Sequence, residues 1–242
     1  MEIIDFTRML HDECCKLLEP LKFSKSIRAD GAVVCSYGTL IEMTSGCLAL
    51  IGAGDNTCVS IVFRSFLEAA ADFINLNADE TYIEHLMMKN DEEWIKVLDV
   101  KNQTNPFLAS IFADASIEER RTQFLENIEK RKKQGIRSFN IKERFAKANL
   151  LDEYNSIYRF KSGSTHNSIG AMIDRHITPK GESFELVIYK ERSTQHFLAE
   201  LDSISGILLL ATRSIHTRLK STSLNRIDEL DKELANIRRR YS

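Results

Sequence analysis

The spacing of the apolar residues constrains this fold more than any other feature of the chain. Through most of its length apolar side chains recur every three or four positions, which lays an apolar stripe along a helix. Only three prolines and ten glycines interrupt the 242 residues, and this favours long helices over a sheet protein with many turns. We therefore predict a mainly α fold, a multi-helix bundle that is long enough to bury a real core.

The period predicts a series of long helices within a single helical domain, 1–242. One stretch, 80–101, is interrupted by polar residues and is either one helix or two. The other predicted helices cover residues 3–23, 28–51, 56–77, 116–147, 154–177 with a break, 194–219 and about 222–241.

One segment has the period of a strand instead. From Glu182 to Tyr189 apolar and polar residues alternate, and the turn signal Thr178-Pro179-Lys180-Gly181 comes just before. Because a lone strand is not stable, we predict a small β-hairpin inserted near residues 176–190.

The charges are unevenly distributed along the chain. Residues 1–100 hold 8 Lys or Arg against 17 Asp or Glu, whereas residues 118–147 hold ten against five. We expect a charged, mobile helical arm at about 116–147, whose central cluster Lys130, Arg131, Lys132 and Lys133 contacts nucleic acid. The alternative is that these residues form solvated helix faces.

The cysteines and the apolar runs indicate a cytoplasmic protein. The five cysteines show no metal-ligand spacing, and Cys35, Cys47 and Cys58 lie among apolar residues, so buried free thiols in a reducing compartment are expected. Acidic residues near the start speak against a signal sequence, and the apolar runs are far shorter than the ~20 residues of a membrane span. The histidines are scattered, so neither a metal nor a cofactor is expected.

The stretch from Tyr154 to Ile177 carries the most plausible chemistry. It is predicted as one helix, a break at Gly163, and a second helix capped by Ser164 or Thr165, with His166 in its first turn. The positive end of a helix keeps an imidazole neutral near pH 7, as a general base requires. Arg159, seven residues earlier, offers a guanidinium suited to a phosphate. The alternative is that His166 only caps its helix or bonds Tyr158, and that Arg159 is solvent-exposed.

A second polar feature lies on an otherwise apolar helix. Arg64, Glu68 and Asp72 follow one another at intervals of four and so share one ridge. They either contribute to a site or form an intrahelical ladder of ion pairs, worth about 0.3–0.5 kcal/mol per pair when exposed.

Two segments resemble a known family. The run RSFLEAAADFINL (Arg64–Leu76), together with the upstream Tyr37, is similar to a bacterial family of unknown function, numbered five-six-seven-seven, in which Arg followed four residues later by Glu marks one helix. In the same family a Tyr-rich helix leads through small residues into a helix-initial His, as YRFKSGSTHNS does here. The resemblance spans about residues 28–176.

The chain also resembles the helical HEPN superfamily, whose metal-independent ribonucleases and toxins use an Arg and a His a few residues apart, usually in a dimer. The resemblance implies an endoribonuclease in which Arg159 holds the scissile phosphate, His166 acts as base or acid, and Arg64 and Glu68 arrange the site. It also implies RNA and a second copy as partners. Phe160 stands where those enzymes have a polar residue. The other hypothesis is a non-catalytic helical module that binds a partner protein or a small anion.

Overall fold

A computed structural model describes residues 2–23, 28–99, 102–165 and 168–241, with the backbone alone for 164 and 165. The described chain is mainly α, with one antiparallel hairpin, which confirms the predicted fold class. Its contacts group into two compact units, unit 1 with Met1–Ala78 and Arg144–Ser242, and unit 2 with Asp79–Glu143. Contact grouping alone does not define an independently folding domain, so the single domain stays a prediction.

Unit 1 is built around a pair of long helices. α2 (Arg28–Gly52) and α3 (Asn56–Ala78) pack on each other and on α11 (Leu198–Arg218), and α1 (Ile3–Leu18) covers α2 and α11. Large side chains from all four are fully buried, which accounts for their wide apolar stripes. The last helix, α12 (Leu224–Arg238), packs on α11.

α2 lies at the centre of this unit. Its Tyr37 is fully buried, with the hydroxyl 2.8 Å from that of Thr212 on α11 and the ring 6.2 Å from that of Phe73 on α3. By length and composition alone α2 could cross a membrane, a test that the core helix of a soluble protein also passes. The expectation that no membrane is involved stays a prediction.

The stretch after residue 150 differs from its prediction in detail. A short helix α8 (Leu151–Glu153) is followed by a π-helical turn (Tyr154–Tyr158) and by α9 (Arg159–Thr165). The predicted break at Gly163 is wrong, because α9 runs through this glycine. The next helix, α10 (Ile169–His176), is capped by Ser168 rather than by Ser164 or Thr165, and the Ser168 Oγ accepts the Ala171 N–H at 3.3 Å.

The predicted hairpin is confirmed. β1 (Ile177–Lys180) pairs with β2 (Ser183–Leu186) in antiparallel register, with Ile177 opposite Leu186 and Pro179 opposite Phe184. Gly181 in the turn has φ +61°, a conformation that glycine adopts without strain.

Unit 2 contains α4 (Tyr82–Val97), α5 (Ala109–Phe112), α6 (Ile117–Lys133) and the first residues of α7 (Ile141–Lys147). α4 is a single helix that packs on α6, and Trp94 stacks on Phe124 with ring centroids 6.1 Å apart. The predicted arm at 116–147 is two helices rather than one, because the chain turns at Gly135 with φ +76°. Its mobility stays a prediction.

All five cysteines are free, as predicted, but they are not all buried. Cys14 and Cys47 are buried, Cys58 is half-buried, and Cys15 and Cys35 are exposed. The prediction of burial is wrong for Cys15 and Cys35, and Cys35 is exposed because it lies two positions from both Val33 and Tyr37, on the opposite face of α2.

Candidate functional site

The charged ridge of α3 meets the π-helical turn through a buried tyrosine. Arg64 donates from Nη2 to the Tyr158 hydroxyl, which in turn donates to Glu68 Oε1 at 2.9 Å. Arg64 Nη1 lies 2.9 Å from the same Glu68 oxygen, and its guanidinium carbon lies 4.7 Å from the centre of the Tyr158 ring. The wider turn at residues 154–158 brings this phenol onto the ridge.

A second arginine, on α7, contacts the same ridge. Arg144 is buried and donates from Nε to Asp72 Oδ1 at 2.7 Å, while its Nη2 bonds the other Asp72 oxygen. Nη2 also reaches the Glu68 backbone carbonyl at 3.3 Å, and Nη1 lies 3.8 Å from Glu68 Oε2. Asn75 donates to the Arg144 carbonyl at 2.9 Å. α7 is thereby tied to α3 along one turn.

Arg64, Glu68, Asp72, Arg144 and Tyr158, called the ridge network below, form a charge-balanced set. Two guanidinium groups face two carboxylates. Burial and the hydrogen bond to Glu68 raise the pKa of Tyr158 to about 12, so the phenol keeps its proton at neutral pH and acts as a donor. These contacts satisfy the charges of an apolar helix and hold three segments together. The catalytic roles of Arg64 and Glu68 stay predictions.

The other two predicted catalytic residues do not join the ridge network. Arg159 is exposed at the start of α9, and its side chain has no hydrogen-bond or ion-pair partner in the described ranges. His166 lies outside the residues that the structure describes, so its predicted role is not tested. Of the four residues that were expected to converge, Arg64 and Glu68 are in contact with each other.

The four residues of the basic cluster in unit 2 are not equally buried. Lys130, Lys132 and Lys133 are exposed on α6. Arg131 is buried, and its Nε and Nη1 donate to Glu84 at 2.9 Å and to Asp91 at 2.6 Å on α4. Both carboxylates already neutralise this guanidinium, so the three exposed lysines are the part of the cluster that is open to a nucleic acid, and that role stays a prediction.

A separate cleft of about 760 Å³ opens in unit 1 at the start of α3. Four parts of the chain form its walls, namely the first turn of α3, α9, α10, and the segment 188–196 after the hairpin. The lining includes the side chains or backbone of Asn56, Thr57, Cys58, Phe160, Lys161, Gly163, Ser168, Gly170, Tyr189, Arg192 and His196.

Cations outnumber acids on the walls of this cleft. Lys161, Arg175, Lys190 and Arg192 line it, against Asp55 and Asp174. Arg192 donates to the exposed Asp174 carboxylate at 2.7 Å. Lys190 donates to the backbone carbonyls of Asp174 and Ile177 at 3.1 and 3.0 Å. Both acceptors are neutral, so they do not cancel the positive charge of the ammonium group.

Lys161, which lines the cleft, also belongs to a buried ion pair. The Lys161 ammonium contacts the Glu200 carboxylate of α11, and the two side chains are only 11% and 2% exposed. Glu200 was not singled out in the sequence, where it is one carboxylate at the start of a helical pattern. Such a pair is costly to break, because either partner alone would be a buried unpaired charge.

A histidine lies at the rim. Burial, together with the nearby cations Arg192 and Lys161, lowers the pKa of His196 below its usual range. Its imidazole is therefore neutral near pH 7. The other histidine that lines the cleft, His176, is committed to the hairpin, with Nδ1 3.1 Å from the Val187 carbonyl.

The described residues contain no group of three or more His, Cys, Asp or Glu arranged to hold a metal ion. A family model matches residues 30–184, which is nearly two thirds of the chain. The chain belongs to the family of unknown function DUF5677. No curated protein and no solved structure matches it.

The DUF5677 match covers the whole ridge network but only part of the cleft. Arg64, Glu68 and Tyr158 lie within residues 30–184, as does Lys161. Arg192 and His196 lie beyond that range. Sequence reasoning missed both, because they follow the hairpin without a recognisable spacing, and it passed over Lys161 two residues after Arg159.

Proposed function

We propose that this chain binds a phosphate-bearing ligand in the unit 1 cleft, and that binding without turnover is its function. One observation carries this proposal. The first turn of a 23-residue helix, α3, opens into a cleft lined by four Lys or Arg side chains, of which Lys161 also pairs with Glu200 and Arg192 with Asp174.

Helix geometry supports an anion at this position. The first amides of a helix have no partner within it, and the aligned peptide dipoles make that end positive. Asp55 Oδ1 accepts the Cys58 N–H at 3.4 Å, whereas the amides of Asn56 and Thr57 need acceptors from outside the helix. A phosphate oxygen is such an acceptor, and the flat guanidinium of Arg192 suits phosphate better than an ammonium does.

The size and lining of the cleft indicate which phosphate-bearing ligand it takes. A volume of about 760 Å³ lies within the roughly 300–1,000 Å³ of small-molecule sites and exceeds what inorganic phosphate needs. Phe160 and Tyr189 both line it, and each is 76% exposed. Aromatic faces next to cationic groups are the usual means of holding a base together with its phosphates. The proposed ligand class is therefore a nucleotide.

Calorimetric titration with inorganic pyrophosphate and with ADP tests the proposal. Both are expected to bind, ADP more tightly, and Arg192→Gln is expected to weaken both about tenfold or more, since it removes a charge-assisted hydrogen bond. The matched control is Arg238→Gln, because Arg238 also pairs with a partly exposed carboxylate, Asp202, but lies outside the cleft. Absence of binding by the unaltered protein, or equal affinity in both variants, would contradict the proposal.

A HEPN-like, metal-independent endoribonuclease of the toxin or defence type, acting in the cytoplasm, is the second candidate. It is supported by Arg159, whose exposed side chain has no partner among the described residues and which lies at the start of the helix that supplies Phe160 and Lys161 to the cleft. In this proposal Arg159 holds the scissile phosphate and His166 exchanges a proton with the ribose hydroxyl. The exposed Lys130, Lys132 and Lys133 would attract RNA.

RNA cleavage in a buffer with a metal chelator tests this second candidate. His166→Ala and Arg159→Ala are each expected to slow cleavage at least about 100-fold. His11→Ala is the matched control, since His11 on α1 is half-buried and, among the described residues, hydrogen-bonds to neighbours on its own helix. If the unaltered protein cleaves no RNA, or His166→Ala cleaves at the normal rate, the ribonuclease proposal fails while nucleotide binding stands.

A further inference from the structure

Exposed apolar side chains are concentrated in one part of unit 1. The described residues include 15 large apolar side chains that are exposed, and eight of them lie between residues 160 and 189. Phe184 and Leu186 on β2 are 71% and 70% exposed, and Ile188 and Tyr189 follow at 70% and 76%. A soluble monomer rarely exposes a contiguous apolar patch of more than a few hundred Å². Four such side chains within six residues are therefore unusual for a free surface.

The hairpin also has one unprotected edge. Within the described chain β1 and β2 form a sheet of two strands, and an isolated two-stranded hairpin is only marginally stable in water. Pro179 lacks an N–H and blunts the outer edge of β1. β2 contains neither proline nor lysine, and all four of its residues are exposed. Its outer edge is thus free to accept another strand.

We propose that a second copy of this chain docks here, with β2 pairing antiparallel to β2 of the partner about a two-fold axis. The result is a four-stranded sheet with the order β1-β2-β2-β1, which no longer has an open β2 edge. This inference is independent of what the cleft binds.

The sequence of β2 selects the register of this pairing. A two-fold axis normal to the sheet places one residue opposite its own copy. Centring on Glu185 would set two carboxylates against each other, which is unfavourable. Centring on Phe184 sets the ring opposite the partner's Phe184 and places Ser183, a hydroxyl donor, opposite the partner's Glu185. The Phe184-centred register is the one that the strand favours.

Area and charge also fit a second copy. Residues 180–192 carry three basic and three acidic side chains, so two copies of this segment do not repel each other. The helix that leads into the hairpin, α10, exposes Ile169, Met172 and Ile173 at helical spacing. Five of the eight side chains do not line the cleft, and at on the order of 100 Å² each they supply roughly 500 Å² of apolar surface per partner, to which the backbone and polar side chains of β2 add toward the roughly 800 Å² of a standard interface.

Analytical ultracentrifugation of the full chain over a range of concentrations tests the proposal. The unaltered protein is expected to form a dimer in a concentration-dependent manner, and Phe184→Glu and Leu186→Glu are each expected to weaken it at least about 100-fold, since each change occurs twice per interface. The matched control, Phe107→Glu, alters a side chain that is 91% exposed in unit 2 and should leave the dimer unchanged. Circular dichroism confirms that each variant keeps its helices.

Oxidative cross-linking tests the register. Phe184→Cys is expected to form a disulfide-linked dimer on a non-reducing gel, whereas Glu182→Cys is not, and the unaltered protein sets the background of its five native cysteines. A protein that stays monomeric at all concentrations overturns the proposal, as does a dimer that tolerates both glutamate substitutions. A dimer sensitive to Phe184→Glu in which Phe184→Cys does not cross-link overturns the register.

Discussion

The ridge network and the cleft lie in the same unit and use the same kinds of residue, but they differ in how open their charged groups are to solvent. In the ridge network two arginines face two carboxylates, and Tyr158 joins them, so the charges are matched and largely enclosed. In the cleft four basic side chains and two acids line an open volume, and two of these cations also pair with a carboxylate, Lys161 with Glu200 and Arg192 with Asp174. An enclosed, balanced set stabilises the fold, whereas cations that line an open volume attract an anionic ligand.

This difference shows why a row of charges in a sequence is weak support for a catalytic site. Arg64, Glu68 and Asp72 stand out in the sequence because they interrupt an apolar helix. The structure gives them partners on α7 and in the π-helical turn, and these contacts give the charges a part in stability, while the catalytic roles of Arg64 and Glu68 stay predictions. We therefore expect substitutions in the ridge network to change stability and substitutions in the cleft to change ligand binding.

The largest effect is expected from breaking the ridge network. Arg144→Met leaves Asp72 and Glu68 without the guanidinium that they face, and losing one partner of a buried ion pair costs about 3–5 kcal/mol. The melting temperature measured by calorimetry should fall by roughly 6–20 °C for a protein of this size.

Arg213→Met is the matched control for this change. Arg213 pairs with Asp228 and Asp231, but its side chain is 38% exposed, and exposed pairs contribute about 1 kcal/mol or less. Equal destabilisation by both variants would mean that burial does not distinguish the ridge network from ordinary surface ion pairs.

A smaller loss is expected from Tyr158→Phe. The change removes the hydroxyl that accepts from Arg64 and donates to Glu68, but it keeps the ring and the direct Arg64–Glu68 pair. We expect a destabilisation of about 1–2 kcal/mol in urea unfolding and no change in pyrophosphate affinity. A loss of binding with unchanged stability would assign Tyr158 to the ligand site instead.

Removing a buried polar group that has no hydrogen-bond partner should instead raise the stability of the protein. His216 on α11 is fully buried, and neither ring nitrogen has a hydrogen-bond partner among the described residues. His216→Leu should therefore stabilise the protein by about 1 kcal/mol at pH 7, as judged by urea unfolding.

The same histidine makes stability depend on pH. Burial lowers the pKa of His216 in the folded state, so as pH falls below the ordinary value of about 6.5 the unfolded chain takes up the proton first. Stability is then lost on acidification, and the advantage of His216→Leu should be larger at pH 5 than at pH 7. A constant difference between the two pH values would contradict this assignment.

The smallest effect concerns binding in the cleft. The pKa of His196 lies below its usual range, so the imidazole gains its charge only as pH falls below about 6.5. Affinity for sulfate, which stays a dianion throughout, should rise about three- to tenfold between pH 7 and pH 5, and His196→Gln should remove this rise. His11→Gln is the control that should keep it.

The fold was predictable from sequence to a greater extent than the site. The helical period locates α3 and α11 within a few residues, and alternation from Glu182 to Tyr189 locates the hairpin. The period does not reveal which side chains meet, so the partnership of Asp72 with Arg144, 72 residues away, had no signal. The cleft draws Lys161 and Arg192 from segments that only the folded chain brings together, and the predicted pair Arg159 and His166 stays untested.

The π-helical turn at residues 154–158 sets the direction in which the side chains of α9 point. In it the Arg159 N–H reaches back to the Tyr154 carbonyl, one residue further than in an α-helix. Every side chain of α9 is therefore rotated by about 100° relative to an unbroken helix. Deleting a single residue within this turn would restore the α-helical hydrogen bonding and turn Phe160 and Lys161 away from the cleft wall. Loss of one codon there would therefore change the cleft more than most substitutions do.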